Sequence, residues 1–425
     1  MLNNFLLKNW LIFWLLCLLA YPLAGENSGF DRQEFARLAK KISESALKEE
    51  KAYEFLQILA LPGGRLTGSP EAARAIAQAS DLMTQLGFDL VKQEPVEVNR
   101  WQRGQTETAL VKSNKKGQHK LNICALGNSI GTPAEGLEAE VVEVRSFEEL
   151  EQLKQAISGK IVFFNVLMDR TEPSPFAAYG RTGPYRTNGA SAAASYRAIA
   201  VLVRSLTFRL DNYPHTGLML YDEKSPRIPA AALATTQADQ LSRWLKEDPH
   251  LKLYLKMNCE QLPSIISANV FGQLTGEEMP EEIILIAGHL DSWDLSPGAN
   301  DDAAGCAVVI EALRLIKEAG LHPKRTIRAV LYMDEEFGGT GGRVYATSAS
   351  RKSEKHLLAI EQDNGGGAPV GLALRGGDKI IKKVSCLKEI LSPFGINWIR
   401  PGGGGVDISP LIQQGVIAGS VVPET

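Results

Sequence analysis

Histidine is scarce in this chain, six residues against 49 aspartates and glutamates. A metal site here must therefore be built mainly from oxygen. Cysteine is thin as well: five residues, at 17, 124, 259, 306 and 386, with no C-x-x-C pair. Zinc-finger and thioredoxin-type chemistry finds no support in that spacing. One disulfide stays allowed, whereas Cys306 lies in an apolar helical run and reads as core packing. There is no H-E-x-x-H, and Gly159-Lys160 is followed by Ile161, which spoils a phosphate-binding loop. The glycines at 338–342, 365–367 and 402–405 lack dinucleotide-fingerprint spacing and read as tight turns. Net charge is only −3, with no basic stripe to track a phosphate backbone, so no nucleic-acid partner is expected.

Long apolar runs are confined to the start. The chain is apolar from Trp10 to Ala20, Lys8 is the only charge before Glu26, and small residues follow at Ala24-Gly25. One cation, an apolar stretch of that length and a small-residue site form the layout of a secretory signal. The expectation is a signal peptide over 1–24, cleaved to leave no stable membrane span, and a secreted or periplasmic, extracytoplasmic location. An uncleaved membrane anchor is the alternative. The rest, with 44% hydrophobic and 22% charged residues, has the composition of a globular chain. Its length of 425 residues predicts two or three folding units.

Helical spacing over 31–59 puts Phe35, Leu38, Ile42 and Leu56 on one face, with Asp31 and Glu34 as a capping box. A second helix is predicted from Ser69 as N-cap and Pro70 at the first helical position, ending at Gly87. Residues 88–98 then alternate as a strand does. From 126 to 250 short β-like runs (139–144, 160–166 and 199–204) alternate with small-residue-rich loops such as Gly189–Ala194. That stretch carries none of the chemistry below and reads as an inserted domain.

From 265 onward the texture is strand, loop, helix. Glu282–Ala287 is a nearly unbroken apolar strand, 303–319 an apolar-periodic helix, and 326–333 and 357–361 further buried strands. The predicted class is α/β, with a mixed, mostly parallel sheet flanked by helices. The main domain is thus expected over 25–125 and 251–425, with the insert at 126–250 between them.

The first of those strands runs into Gly288-His289-Leu290-Asp291-Ser292-Trp293-Asp294, the second into Asp334-Glu335-Glu336, the third into Gln362-Asp363-Asn364. Between the first and second lies Gly298-Ala299-Asn300-Asp301-Asp302-Ala303-Ala304-Gly305. In open α/β sheets ligands bind beyond the carboxyl ends of the strands, so one imidazole and several carboxylates converge on one rim. Crowded carboxylates repel each other unless a cation neutralises them. A divalent metal or a pair answers that, zinc first, with manganese or cobalt possible. A pair of ions sharing one carboxylate would turn water into a nucleophile near neutral pH, and one carboxylate must stay unligated to carry the proton. The adjacent Glu335 and Glu336 offer one of each.

Together, GHLDSWD, GANDDAAG, the Glu335-Glu336 pair and Asp363 resemble the signature of the two-zinc exopeptidases of the bacterial leucine aminopeptidase and glutamate carboxypeptidase type, peptidase family 28. Gly64-Arg65-Leu66-Thr67-Gly68-Ser69, Glu94-Pro95-Val96 with Trp101 and Arg103, and Asp407-Ile408-Ser409-Pro410-Leu411 extend the likeness over nearly the whole chain. The resemblance implies a zinc exopeptidase fold with a protease-associated-type, β-rich cap domain as the insert, and two Zn2+ ions. His289 and Asp363 would hold one ion and Glu336 the other, with Asp301 bridging. Glu335 would be the general base, and Asp291 would orient the His289 imidazole. A homodimer is implied as well. The resemblance also implies a last histidine after Asp407 for the second metal. The final histidine is His356, so either the sequence is truncated at its C-terminus, the favoured expectation, or the second metal site is incomplete; as written, residues 1–425 are expected to hold that ion weakly and to hydrolyse peptides poorly or not at all.

The function so implied is an exported exopeptidase acting on short peptides or dipeptides. Two alternatives stand beside it: a non-catalytic binding protein on the same scaffold, and an amidohydrolase or deacylase using the same metal site. Arg65, Trp101, Arg103 and the Gly402–Gly405 loop are left open between substrate binding and packing.

Overall fold

The computed structural model describes residues 32–424. The signal segment, Cys17 and the Asp31 half of the capping box lie outside the described residues. Among them, no helix is long and apolar enough to cross a membrane. The described chain forms two compact units, one made of the residues up to Val98 together with those from Ser264, the other of Asn99–Pro263.

Helices α1 (Arg32–Glu49), α2 (Lys51–Ala60) and α3 (Pro70–Gln85) open the first unit. The single helix expected over 31–59 is therefore two. Glu50 takes a left-handed backbone (φ 51°) that ends one and starts the next. The break re-aims the buried face: α1 buries Phe35, Ala39, Ile42 and Ala46, and α2 buries Ala52, Phe55 and Leu59 rather than turning Leu56 fully inward. The start of α3 is as predicted, with the Ser69 hydroxyl accepting the Ala72 N–H at 3.0 Å and Pro70 at the first helical position.

The central sheet has eight strands: β1 (Leu90–Gln102), β2 (Glu260–Leu274), β3 (Met279–His289), β4 (Arg325–Tyr332), β5 (Lys355–Glu361), β6 (Pro369–Arg375), β7 (Trp398–Pro401) and β8 (Ile417–Pro423). Their order is β1-β2-β4-β3-β5-β8-β6-β7. The four at the centre run parallel, β4 beside β3, β3 beside β5 and β5 beside β8. β2 joins β4 antiparallel and β6 joins β8 antiparallel, which makes the sheet mixed. Successive residues of β3 feed two cores. Ile284 and Ile286 pack with α1–α3 and with α4 (Ala304–Glu318), while Ile283, Leu285 and Ala287 pack with Tyr332, Tyr345 and Ile408. Burial on both faces is why this strand is apolar without alternation.

The second unit has its own eight-stranded sheet, whose middle strands Leu137–Val144, Ile161–Phe164, Ala200–Arg204 and Ala230–Leu233 are parallel. Its edge hairpin Glu107–Ser113 and Gly117–Leu121 pairs onward to Lys252–Met257. Those backbone ladders carry the unit beyond the 126–250 span expected for the insert. Gly189–Ala194, expected as a loop, is a short helix. Gly189 lies against the Phe164 ring, and small side chains let a helix bury nearly every residue there. Cys259, Cys306 and Cys386 are free thiols, and Cys306 is fully buried as expected of a core residue.

Candidate metal centre

Strands β3, β4 and β5 end side by side, and the loops leaving them carry the predicted residues. His289 is the last residue of β3 and only 1% exposed. Its Nδ1 hydrogen bonds the Asp291 carbonyl oxygen at 3.0 Å, which turns Nε2 toward the crevice. There Nε2 meets the Asp301 carboxylate at 3.0 Å and lies 3.3 Å from an Asp363 oxygen. His289, Asp301 and Asp363, far apart in sequence, are thus brought together. The orienting contact from Asp291 is made by its backbone carbonyl; its carboxylate stands 3.9 Å from Nδ1.

That carboxylate is occupied elsewhere. Its two oxygens accept the backbone N–H groups of Glu335 at 3.1 Å and Glu336 at 3.2 Å. Asp291 therefore ties the loop after β3 to the loop after β4 and fixes both glutamates relative to the imidazole. Burial pushes the Glu335 carboxyl up to about 8; the His289 charge opposes this, while Asp363 and Asp291 add to it. Glu336 is also raised well above the usual range by burial and by the Asp301 carboxylate. Both glutamates lie within electrostatic reach of His289.

Asp302 was missed as part of the cluster. It is fully buried, and its oxygens accept the N–H of His289 at 3.1 Å and of Gly305 at 3.0 Å. Donor atoms of His289, Asp302 and Asp363 all lie within 4.8 Å of one another. A side chain on Gly305 would run into the Asp302 carboxylate and the Gln362 carbonyl, so glycine is required where α4 starts. The Asp-Asp doublet was the available signal: one member faces the crevice, and the other caps backbone. Glu361 was missed, and Asp407 was seen only as part of a motif, because long-range folding alone buries them. Each is 1% exposed, and Glu361 accepts the Ile408 N–H at 2.8 Å.

Arg65 resolves to packing. It is fully buried and donates to the carbonyls of Leu290 at 2.7 Å, Gly298 at 3.0 Å and Pro297. It thereby clamps the loop between Asp291 and Asp301. In the second unit the Trp101 indole donates to the Ser129 carbonyl at 2.8 Å, and Arg103 donates to the Ala125 carbonyl at 2.6 Å. Gly127-Asn128-Ser129-Ile130-Gly131 matches a serine-hydrolase elbow by letters. Ser129 is buried, and its hydroxyl accepts the Ala230 N–H at 2.8 Å, which leaves it unfit as a nucleophile.

The donor set fits a divalent cation. Burial alone would lower the His289 pKa, yet its bonds to Asp301 and Asp363 raise it well above 6.5. The surroundings select for positive charge. Burial likewise holds Asp302 and Asp407 well above the carboxylate range. One imidazole with several carboxylate oxygens is a zinc-type set.

The family model described as Peptidase family M28 matches residues 269–419. Human carboxypeptidase Q is 37% identical over 377 residues, 88% of this chain and 78% of that protein. Carboxypeptidase Q of Xenopus laevis is 36% identical over 90% of this chain and 80% of its own length. Among solved structures, a peptidase M28 precursor from Shewanella amazonensis SB2B superposes with a TM-score of 0.86 at 34% identity, covering 91% of this chain and 87% of that one. A zinc aminopeptidase from Bacillus subtilis shares the fold, with a TM-score of 0.63 at 19% identity over 87% and 84% of the two chains.

Proposed function

The chain belongs to peptidase family M28 and is a metallo-exopeptidase, and on that premise we propose that it cleaves short peptides, dipeptides among them, with Glu335 as general base. In this reading His289 and Asp363 would hold one zinc ion and Glu336 a second, with the Asp301 carboxylate available to both. Zinc supplies Lewis acidity toward a carbonyl oxygen and makes water a stronger acid. The observation that carries the reading is His289 Nε2 set between Asp301 at 3.0 Å and Asp363 at 3.3 Å, with Glu335 beside them.

Glu335 takes a proton from the attacking water and returns it to the leaving amine, so one carboxylate serves as base and then as acid. Asp291 holds the Glu335 and Glu336 backbones in place, and its carbonyl fixes which His289 nitrogen faces the crevice. Arg65 keeps the intervening loop from shifting Asp301. The Asn99–Pro263 unit is read as a protease-associated-type domain, the working form as a homodimer, and the location as extracytoplasmic. The leader-like start of the sequence supports the location, and the carboxypeptidase Q likeness supports the substrate class.

Glu335→Gln tests the mechanism. Dipeptide hydrolysis by the zinc-supplemented variant should fall by at least about a thousandfold, while its zinc content stays at the wild-type level. Turnover within a few fold of wild type would remove Glu335 from the role of base.

A further inference from the structure

Asn269 lies in β2, fully buried, beside the carboxyl end of β4, since its neighbour Val270 pairs with Leu331. β4 ends at Tyr332, and residues 333–341 turn from it into the helix Thr340–Thr347. That loop carries Glu335 and Glu336. The Asn269 carboxamide holds both of its ends. Oδ1 accepts the Met333 N–H at 3.0 Å, and Nδ2 donates to the Gly341 carbonyl at 3.0 Å. Gly341 in turn donates its N–H to the Met333 carbonyl at 3.0 Å, which closes the neck of the loop. A Cβ on Gly341 would run into Asn269 Oδ1 and the Met333 carbonyl, so only glycine admits the carboxamide there.

The second hydrogen on Nδ2 is engaged as well, by Glu94 Oε2 at 3.3 Å. The Met333 N–H can only donate, while the Gly341 carbonyl and the Glu94 carboxylate can only accept. One orientation of the amide therefore satisfies all three. Glu94 is buried and paired with the buried Arg351, whose guanidinium lies 3.8 Å from the centre of the Tyr345 ring. The loop needs such a hold. Asp334, directly before Glu335, has a left-handed backbone with φ 76°, and Gly339 follows with φ 64°. A residue other than glycine takes that conformation where its surroundings impose it. Asp291 restrains the Glu335 and Glu336 N–H groups from the β3 side, and Asn269 restrains the neck.

We propose that Asn269 is a positioning residue for the general base: its carboxamide, fixed in turn by the buried Glu94–Arg351 pair, sets where the loop presents Glu335. The inference rests on the exopeptidase reading and adds a residue to its machinery. Asn269 acts through the backbone of the loop, so its loss should show in kcat far more than in KM.

Asn269→Ala and Asn269→Asp test this on the zinc-supplemented full chain, each checked for folding by circular dichroism. Both should lower kcat for dipeptide hydrolysis by about ten- to a hundredfold, with KM within about threefold of wild type. Aspartate keeps the acceptor for Met333 but sets a second carboxylate against Glu94, so it should be at least as poor as alanine. Adding Glu94→Gln to Asn269→Asp restores a donor to that contact and should recover about tenfold in kcat, although Glu94→Gln alone should lower it. Hydrogen exchange gives a readout without turnover. In Asn269→Ala the segment 333–341 should exchange at least about tenfold faster, while the segment of β3 ending at His289 keeps its wild-type rate. Wild-type kcat in Asn269→Ala, no rescue by Glu94→Gln, faster exchange spread evenly over the central sheet, or failure of both Asn269 variants to fold would overturn the positioning role and leave the exopeptidase reading standing. Faster exchange confined to 333–341, in a protein whose wild type cleaves no dipeptide, would support the hold on the loop and overturn the exopeptidase reading.

Discussion

The Asp291 carboxylate accepts the backbone N–H of Glu335 at 3.1 Å, and its second oxygen serves Glu336 at 3.2 Å. The same residue's carbonyl orients His289 at 3.0 Å. One aspartate thus couples imidazole to base through two different parts of itself. Asp291→Ala removes the tie between the loops but keeps the carbonyl. It should cost about ten- to a hundredfold in kcat, with KM changing less. Asp291→Asn retains one acceptor oxygen and should recover part of that loss. Steady-state kinetics on both variants checks the order, and equal activities of Ala and Asn would contradict it.

Acid-base linkage gives a second test. In an unfolded chain the Glu335 and Glu361 carboxyls titrate near 4.5, but in the fold burial raises them to about 8 and about 7, mutual repulsion among the site carboxylates adding to it. The folded state therefore holds their protons more tightly. Their contribution to stability is fully present below 4.5 and is lost as pH rises through 7 and 8. Zinc held by the neighbouring Asp301, Glu336 and Asp363 would favour the ionised form of these two glutamates and so release their protons. The rise in Tm on replacing chelator with zinc should accordingly be larger at pH 8 than at pH 5.5. Thermal melts at the two pH values read it directly. An equal or smaller rise at the higher pH would show that these carboxyls do not sense the metal.

Arg65 places a buried guanidinium among three backbone carbonyls. Arg65→Ala leaves those carbonyls unpaired and should destabilise the fold by about 3 kcal/mol. Lysine cannot reproduce the planar fork, so Arg65→Lys should recover less than half of that. Chemical denaturation measures both. A loss in activity with stability intact would instead return Arg65 to substrate binding.

At the other end of the scale, Ser69→Ala removes one N-cap hydrogen bond to Ala72. It should cost about 1 kcal/mol with zinc content and kcat unchanged. The same denaturation experiment covers it.

What was legible in the sequence was local. Ser69-Pro70 announced a helix start because capping needs only neighbours, and the apolar run of β3 announced burial on both faces. His289 and Asp363 were legible because they sit at or just past strand ends, and Asp301 because its loop leads into an apolar helix between two such strands. The break at Glu50 was not, since a left-handed residue between two helix-forming stretches carries no composition signal. Nor was the helix at Gly189–Ala194, whose small residues suit loops equally well until Phe164 packs against them. Asp302 and Glu361 were hidden because their partners are backbone N–H groups supplied by the fold. Asp407 was visible as part of a motif, but its burial depends on residues far away in sequence.

The most direct test of the metal centre is zinc content after dialysis, wild type beside the His289→Ala/Asp363→Ala double variant, both checked for folding by circular dichroism. The account predicts that wild type retains zinc and the folded double variant loses the ion these residues hold. A folded double variant that keeps the same zinc per chain as wild type would contradict it.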